Sequence, residues 1–233
     1  MDLQLNGKVA IITGASRGIG KAIAETLSAE GMKLVLAARS ECPQLPSSLS
    51  ITADLREPEA PDALIAKTIE HFGRIDLLVN NAGATQRGDF LTLTDETWHD
   101  GFALKFFGAM RCSRAAWPHL VESGGAIVNI AGVGGRTGSA EFAIGGTVNA
   151  ALLNLTKVLS DRGIKDGVRV NAINPGTIAT ERLKKRGNLD PTAYRVARFG
   201  EPEEIARAVA FLASPGYAQG AILDVDGGAT RTL

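Results

Sequence analysis

A glycine-rich turn between a short apolar run and a helical pattern most strongly constrains the fold of this chain. The apolar run 9–12 (VAII) leads into Thr13–Gly20 (TGASRGIG), and apolar residues then recur at positions 19, 23 and 27. A strand, a glycine turn and a helix in this order form a phosphate-binding unit, because phosphate can approach the turn backbone and the N–H groups that open the helix. The spacing G-x-x-x-G-x-G differs from the common G-x-G-x-x-G pattern, so the turn alone could also be a tight connection in any α/β protein.

Strand-like apolar runs alternate with helical patterns along the whole chain. The predicted strands are 9–13, 34–38, 49–52, 77–80, 126–130, 168–173 and 222–225, and the predicted helices are 19–30, 58–72, 95–122, 143–162 and 202–213. This alternation with short links predicts the α/β class, a doubly wound parallel sheet with helices on both faces. We find no internal repeat and no linker rich in Pro, Gly or Ser, so we expect a single domain over residues 1–233.

Composition and charge argue against several classes of protein. Lys plus Arg and Asp plus Glu each number 25, so we expect neither nucleic acid nor an anionic membrane as the main partner. Cys42 and Cys112 lack a metal-ligand spacing and are expected to be free thiols. The three histidines show no i, i+4 pair, so no metal site is expected. The N-terminal residues do not resemble a signal peptide and no apolar run approaches the roughly 18 residues of a membrane span, so we expect a cytoplasmic protein.

The second strand ends with features that indicate which dinucleotide binds. Proteins that bind NAD carry an acid at this strand end, whereas an arginine suits the 2′-phosphate of NADP. Here Arg39 follows Ala38, and Arg17 within the turn supplies a second guanidinium near the same ribose. Two solvated surface arginines are the alternative, but two agreeing positions favour NADP(H) as the cofactor.

Three further strand ends extend the predicted cofactor site. Asp54 and Leu55 follow the third strand, where a carboxylate could accept from the adenine amino group, and residues 80–83 (NNAG) close the fourth. The segment 174–177 (NPGT) ends the sixth strand and could contact the nicotinamide. The predicted cofactor-binding residues are Gly14, Ser16, Arg17, Gly18, Ile19, Gly20, Arg39, Asp54, Leu55, Asn81, Ala82, Gly83, Pro175, Gly176 and Thr177.

In this order, the segments resemble the short-chain dehydrogenase/reductase family. The matching positions cover essentially the whole chain: 13–20, 54, 80–83, 168–171 (VRVN), 175–176 and 225–228 (VDGG). The resemblance implies a Rossmann-like fold with seven parallel strands and a nicotinamide dinucleotide cofactor. It also implies a homodimer or homotetramer in which the helices at 95–122 and 143–162 form the main interface.

The same resemblance implies four catalytic residues, and this chain departs from the family at each of them. The family uses a tyrosine as general acid or base, a lysine four residues later that lowers the tyrosine pKa, a serine after the fifth strand and an asparagine in the preceding helix. A gapless match places Gly145, Asn149, Gly132 and Lys105 at these positions, in that order. Lys105 is the best remaining catalytic candidate; alternatively, its ammonium fills the space of the missing lysine or binds substrate.

Two functions are compatible with this pattern. One is an NADP(H)-dependent oxidoreductase, with carbonyl/alcohol hydride transfer by an atypical mechanism; the other is an inactive dinucleotide-binding sensor or structural subunit. Residues 178–199 are expected to form a short substrate lid, and the basic stretch 181–186 (ERLKKR) is either a solvated face or a site for an anionic small molecule or acyl carrier. Four loop residues are expected beside the pocket: Arg136, Thr137, Ser139 and Glu141.

Overall fold

A single parallel sheet organises the computed structural model, which describes residues 2–185, 187 and 189–230. Within these residues seven strands pair in the order β3-β2-β1-β4-β5-β6-β7. Their bounds are β1 Val9–Thr13, β2 Lys33–Ala38, β3 Ser48–Thr52, β4 Leu77–Asn80, β5 Ala126–Ile130, β6 Arg169–Pro175 and β7 Ile222–Val225. Every pairing is parallel. The predicted Rossmann-like α/β fold is confirmed.

Helices cover both faces of the sheet. They are α1 Gly18–Ala29, α2 Ala60–Phe72, α3 Asp95–Phe102, α4 Ala109–Ser123, α5 Ala143–Asp166, α6 Glu181–Lys184 and α7 Pro202–Ala213. Alternate side chains of β1 enter opposite cores: Ala10 and Ile12 pack with α1 and α7, whereas Ile11 packs with α2 and α4. Burial on both faces explains why the strands read as continuous apolar runs rather than as alternating ones.

The structure corrects the prediction of one helix over residues 95–122. A π-helical segment, Ala103–Gly108, joins α3 to α4 and contains Lys105. The wider turn shifts the direction of the side chains by about one residue relative to an α-helix, and such segments are frequent at functional sites. The sequence does not reveal it, because apolar side chains continue on both sides at spacings compatible with a regular helix.

Two acidic residues and a proline define the start of α7. Pro202 occupies the first turn, and Glu201 and Glu204 form a reciprocal capping box. The Glu204 carboxylate accepts from the Glu201 backbone N–H at 2.8 Å and forms two hydrogen bonds with Arg198, each 2.8 Å long.

In the part of the chain that the structure describes, none of the helices is both long enough and apolar enough to cross a membrane.

Candidate dinucleotide and substrate site

A cleft of about 830 Å³ lies along the carboxyl edge of the sheet. Because β1 neighbours both β2 and β4, the strand order reverses there, and the connections leaving these strands diverge to open a crevice. All of the residues predicted to bind the cofactor line this cleft, as do the four residues that the sequence match assigns to catalytic positions. The fold therefore brings together groups that are as much as 163 positions apart, from Gly14 to Thr177.

The glycine turn has the shape of a phosphate cradle. Gly14 and Gly18 have φ angles of +69° and +54°, which favour glycine. A side chain at Gly20 would overlap the Gly14 carbonyl and the Asn81 amide. Among the described residues, no side chain caps the start of α1 at Arg17, so the N–H groups of its first turn face the cleft without such a partner. This backbone fits the pyrophosphate of a dinucleotide.

Thr13 and Asn81 fix this turn to the end of β4. The Thr13 hydroxyl donates to the Val79 carbonyl at 3.2 Å and accepts from the backbone N–H groups of Asn81 and Ala82 at 3.0 and 3.1 Å. The Asn81 amide donates to the carbonyls of Thr13 and Gly14 at 3.0 and 3.1 Å. Its amide donor is thus committed to the turn, so Asn81 shapes the cradle in addition to lining it.

At the ribose end of the cleft, Arg39 and Asp54 form a pair that the sequence does not predict. Their charged groups lie 3.6 Å apart, and the Arg39 side chain is 57 % exposed. Asp54 also accepts from the backbone N–H and the Nη1 of Arg56, at 3.1 and 3.3 Å. Because Asp54 also pairs with Arg56, Arg39 can turn toward a ligand phosphate without leaving the Asp54 carboxylate unpaired.

Lys105 projects from the π-helical segment to the end of β5. Its Nζ donates to the Ala131 carbonyl at 2.8 Å, and its stem passes over Gly83, where an added Cβ would lie 2.9 Å from the Lys105 Cδ. Desolvation, with a smaller contribution from the charge of Arg182, lowers the pKa of Lys105 to about 7. An amine with this pKa exchanges a proton near neutral pH.

Two close contacts fill the space beside Gly132 and Gly145. A Cβ at Gly132 would lie 2.8 Å from the Asn149 Nδ2, so the carboxamide fills the space beside that glycine. A side chain at Gly145 would overlap the ring of Phe142. The Arg87 guanidinium in turn stacks on this ring, 4.1 Å from its centroid.

Comparison with known proteins places this site in a family. A family model described as enoyl-(acyl carrier protein) reductase matches residues 14–230. The 3-oxoacyl-(acyl-carrier-protein) reductase of Vibrio cholerae is 36% identical over 240 residues, which cover 97% of this chain and 98% of that protein. The chain belongs to the short-chain dehydrogenase/reductase family. The meso-2,3-butanediol dehydrogenase of Serratia marcescens is 35% identical, with 99% and 97% of the two chains covered.

Solved structures of other dehydrogenases and reductases agree with this assignment. The L-sorbose reductase of Gluconobacter frateurii, complexed with NADPH and L-sorbose, superposes with a TM-score of 0.91 at 33% identity and full coverage of both chains. ElxO with NADP bound gives a TM-score of 0.91 at 25% identity and covers 97% of this chain. These relatives confirm the cofactor prediction of NADP(H), and the glycine cradle and Arg39 of this short-chain dehydrogenase/reductase fit that group.

The loops around the substrate end of this short-chain dehydrogenase/reductase only partly match the sequence-based expectation. Thr137 and Ser139 line the cleft, whereas Arg136 pairs with Asp224 at 3.3 Å and Glu141 is not among the lining residues. Within the expected lid at 178–199, the Arg182 Nη1 donates to the Gly83 carbonyl at 3.3 Å. Positions 186 and 188 of that lid, and positions 1 and 231–233 of the expected domain, lie outside the described residues.

Sequence reasoning missed two lining residues of this site. Arg87 belongs to no motif, and Phe142 has no side-chain proton to donate, so neither residue is conspicuous in the sequence. Their roles depend on the path of two loops, which a backbone hydrogen bond from Gly88 to the Glu141 carbonyl connects at 3.2 Å. In the described part of the chain, no group of three or more His, Cys, Asp or Glu residues is placed so that it could hold a metal ion.

Proposed function

We propose that this chain is an NADP(H)-dependent oxidoreductase that interconverts a carbonyl compound and an alcohol, with Lys105 as the proton donor and acceptor. The observation that carries the proposal is the position of the Lys105 amine in the cleft, at the end of β5 and beside Gly83, with a pKa lowered to about 7. The relatives named above are reductases and dehydrogenases, which supports the reaction class.

The chemistry requires one hydride and one proton. NADP(H) held in the cleft would supply or accept the hydride at the substrate carbon. In the reducing direction, the Lys105 ammonium donates its proton to the oxygen that becomes the hydroxyl, and the resulting amine regains a proton from solvent. In the oxidising direction the neutral amine accepts the hydroxyl proton. A general acid of this kind contributes typically about 10²–10⁴-fold, most effectively when its pKa is near the working pH.

The charges around the substrate end favour an anionic small molecule. Arg87, Arg182 and Lys105 all line this part of the cleft, whereas Glu181 is the acidic residue that lines it beside them. An arginine fork binds a carboxylate through two parallel hydrogen bonds, which orients the molecule as well as attracting it. We therefore propose that the substrate carries a carboxylate or a similar anionic group in addition to its carbonyl.

A non-catalytic role as a dinucleotide-binding sensor or structural subunit is the second candidate. The observation that favours it is the filling of the substrate end: Phe142 covers Gly145, and the Asn149 carboxamide lies against Gly132. Of the described residues that line the cleft, none is a tyrosine, because Tyr194 and Tyr217 lie elsewhere. In this alternative, binding of NADP(H) is retained but no hydride is transferred.

The two functions are separated by NADPH oxidation with a panel of keto acids and neutral ketones. The comparison uses the wild type, Lys105→Met and Lys105→Arg, with NADPH binding measured by fluorescence for each. A catalytic Lys105 predicts turnover in the wild type, a loss of about 10²-fold or more in Lys105→Met, and little change in NADPH affinity. Turnover that survives in Lys105→Met excludes this residue as the proton donor. NADPH binding without any turnover across the panel favours the non-catalytic role.

A restored family site provides a second test, and the structure dictates its design. The variant combines Lys105→Asn, Gly132→Ser, Gly145→Tyr and Asn149→Lys with Phe142→Ala, because a tyrosine at position 145 would overlap the Phe142 ring. Phe142→Ala alone is the matched control. If carbonyl reduction appears only in the restored variant, the wild type binds the cofactor but does not catalyse the reaction. Turnover in the wild type instead supports the Lys105 mechanism.

We also propose that the chain forms a homodimer or homotetramer through α4 and α5. Apolar side chains remain exposed on these helices and on the preceding π-helical segment: Phe107 is 40% exposed, Val158 57% and Ile164 70%. Burial of such residues on association is favourable at about 25 cal/mol per Å². The molar mass measured by light scattering should equal that of two or four chains. Val158→Asp should shift the molar mass toward that of the monomer. The matched control Phe211→Asp on α7 should leave the molar mass unchanged, because the α4–α5 contact stays intact.

A further inference from the structure

Lys105 and Asn174 form hydrogen bonds with opposite sides of one peptide group. The Lys105 Nζ donates to the Ala131 carbonyl at 2.8 Å. The N–H of the same peptide group belongs to Gly132 and donates to the Asn174 Oδ1 at 3.2 Å. Asn174 is fully buried on β6 and is not a lining residue of the cleft, whereas Ala131 and Gly132 are. The 131–132 peptide group therefore separates Lys105 in the cleft from Asn174 behind the cleft wall.

Backbone pairing between β5 and β6 ends just before this peptide group. The last paired residues are Ile130 and Ile173, and the Ala131 N–H still donates to the Ile173 carbonyl at 2.9 Å. The next N–H, that of Gly132, meets a side chain instead of the backbone. Because glycine permits many backbone conformations, it does not fix the orientation of the peptide group by itself. The Asn174 carboxamide supplies this restraint.

Asp224 on β7 determines which way the Asn174 carboxamide points. The two residues are register partners on adjacent parallel strands, so their side chains lie on the same face of the sheet. The Asn174 Nδ2 donates to the Asp224 Oδ1 at 2.9 Å, and Arg136 pairs with the other carboxylate oxygen at 3.3 Å. Since a carboxylate only accepts and the Gly132 N–H only donates, a reversed carboxamide would lose both of its hydrogen bonds.

We propose that Asn174 is a positioning residue for Lys105, and that it acts by holding the 131–132 peptide group so that the Ala131 carbonyl faces the ammonium. The inference rests on the proposed function, in which Lys105 exchanges the proton of the reaction. An N–H that donates a hydrogen bond polarises its own peptide group, which makes the carbonyl a better acceptor. This acceptor favours the charged form of Lys105 and opposes the desolvation that lowers its pKa.

Charged side chains of the described residues reach this region from four segments. They are Arg87, Arg136, Glu181, Arg182 and Asp224. The charge of Arg182 contributes to the lowered pKa of Lys105. The opposite charges of Arg136 and Asp224 partly cancel, so this ion pair acts on Lys105 less than a lone charge at position 174 would. A carboxylate at position 174 is therefore expected to raise the pKa of Lys105.

Two changes should move the titration of Lys105 in opposite directions. Asn174→Leu keeps the size of the side chain but removes the acceptor, so Lys105 should lose its proton about 0.5–1 pH unit below the wild type. The exchange of Asn174→Asp with Asp224→Asn retains an acceptor for the Gly132 N–H and a donor for that acceptor. It also places a negative charge one peptide group from Lys105, which should then titrate about one pH unit above the wild type.

NMR of protein labelled with ¹³C at the lysine Cε measures this titration, and Lys105→Met identifies the signal of Lys105. The matched control is Asn171→Leu on the same strand, because Asn171 bonds to the Ala218 carbonyl at 3.0 Å and the Ala221 N–H at 2.9 Å. This control should lower the melting temperature by several degrees and leave the titration of Lys105 unchanged. The pH at which NADPH-dependent carbonyl reduction falls to half should follow the NMR titration in each variant.

The proposal is overturned if Lys105 titrates in Asn174→Leu as it does in the wild type, or if Asn171→Leu shifts the titration equally. If Asn174→Leu does not fold, Asn174→Ser replaces it, since the shorter side chain cannot reach both the Gly132 N–H and Asp224. An exchange variant that leaves the titration of Lys105 unchanged also overturns the proposal. Absence of wild-type turnover would instead contradict the proposed function, and the NMR titration would still test the role of Asn174.

Discussion

Replacing Lys105 by methionine should change how the stability of the protein depends on pH. Methionine keeps an unbranched stem over Gly83 and removes the ionisable group. The pKa of Lys105 is lowered from its ordinary value of 10.5 to about 7 in the fold. Between these two values the unfolded chain binds a proton that the folded protein does not, so the unfolding free energy of the wild type rises with pH across this window and is flat below it.

The size of the effect follows from the pKa difference. One pKa unit corresponds to about 1.4 kcal/mol, so the full shift of Lys105 costs at most about 5 kcal/mol of stability at low pH. Between about pH 6 and about pH 9 the contribution from this residue changes by roughly 2–3 kcal/mol. That is a large fraction of the stability of an ordinary domain, about 5–15 kcal/mol.

Urea denaturation at these two pH values measures the effect. The wild type should gain roughly 2–3 kcal/mol more on going to the higher pH than Lys105→Met does. Lys105→Arg is the matched control, because its guanidinium stays charged at both pH values; it should lack the gain and be the least stable of the three at high pH. If the wild type and Lys105→Met show the same pH dependence, the amine is not desolvated and the proposed proton transfer loses its physical basis.

Three further changes test other parts of the structure. Arg39→Ala should weaken NADPH binding by about 10- to 100-fold in fluorescence titrations and leave NADH binding almost unchanged; an equal loss for both nucleotides would contradict the 2′-phosphate assignment. Thr13→Val should lower the unfolding free energy by about 1–3 kcal/mol in urea and reduce dinucleotide affinity, because it removes the three hydrogen bonds of the Thr13 hydroxyl to the backbone of Val79, Asn81 and Ala82; unchanged affinity would show that the turn forms without them. Arg198 and the capping box lower the pKa of Glu204 to about 2, so its stabilising effect is present above its ordinary pKa of 4.5 and is lost as the pH falls toward 2. Glu204→Gln should therefore cost about 1 kcal/mol at neutral pH and little at low pH, and an equal loss at both would refute this.

The sheet and the cofactor half of the cleft were predictable because their signals are local. A parallel strand buried on both faces gives a continuous apolar run, as in β1, and the residue after each strand necessarily lies at the carboxyl edge. Predicting the strands therefore predicts which residues meet there. Arg39, Asp54 and Asn81 reach one cleft from separate parts of the chain for this reason alone.

The substrate half was less predictable because packing rather than pattern determines it. The π-helical segment that directs Lys105 toward β5 leaves no mark in the apolar periodicity. The placement of Phe142 over Gly145 depends on a loop, and the Arg39–Asp54 pair depends on two side-chain rotamers. A gapless comparison with a family predicts which residue occupies each catalytic position, but it does not show which side chains fill the space around that residue.

Two glycines that the sequence match assigns to catalytic positions of the family, Gly132 and Gly145, are each packed against a larger neighbouring side chain. At the present positions of their neighbours, a serine at position 132 would meet the Asn149 amide, and a tyrosine at position 145 would meet the Phe142 ring. Each glycine is therefore matched by a larger side chain that uses the space it leaves, and close packing makes a single reversal costly at either pair. It follows that Gly132→Ser or Gly145→Tyr alone should destabilise the protein and should not raise its activity above that of the wild type. Only changes that include the packing partners, Asn149 for the first glycine and Phe142 for the second, can test whether a serine and a tyrosine fit at these two positions of the fold.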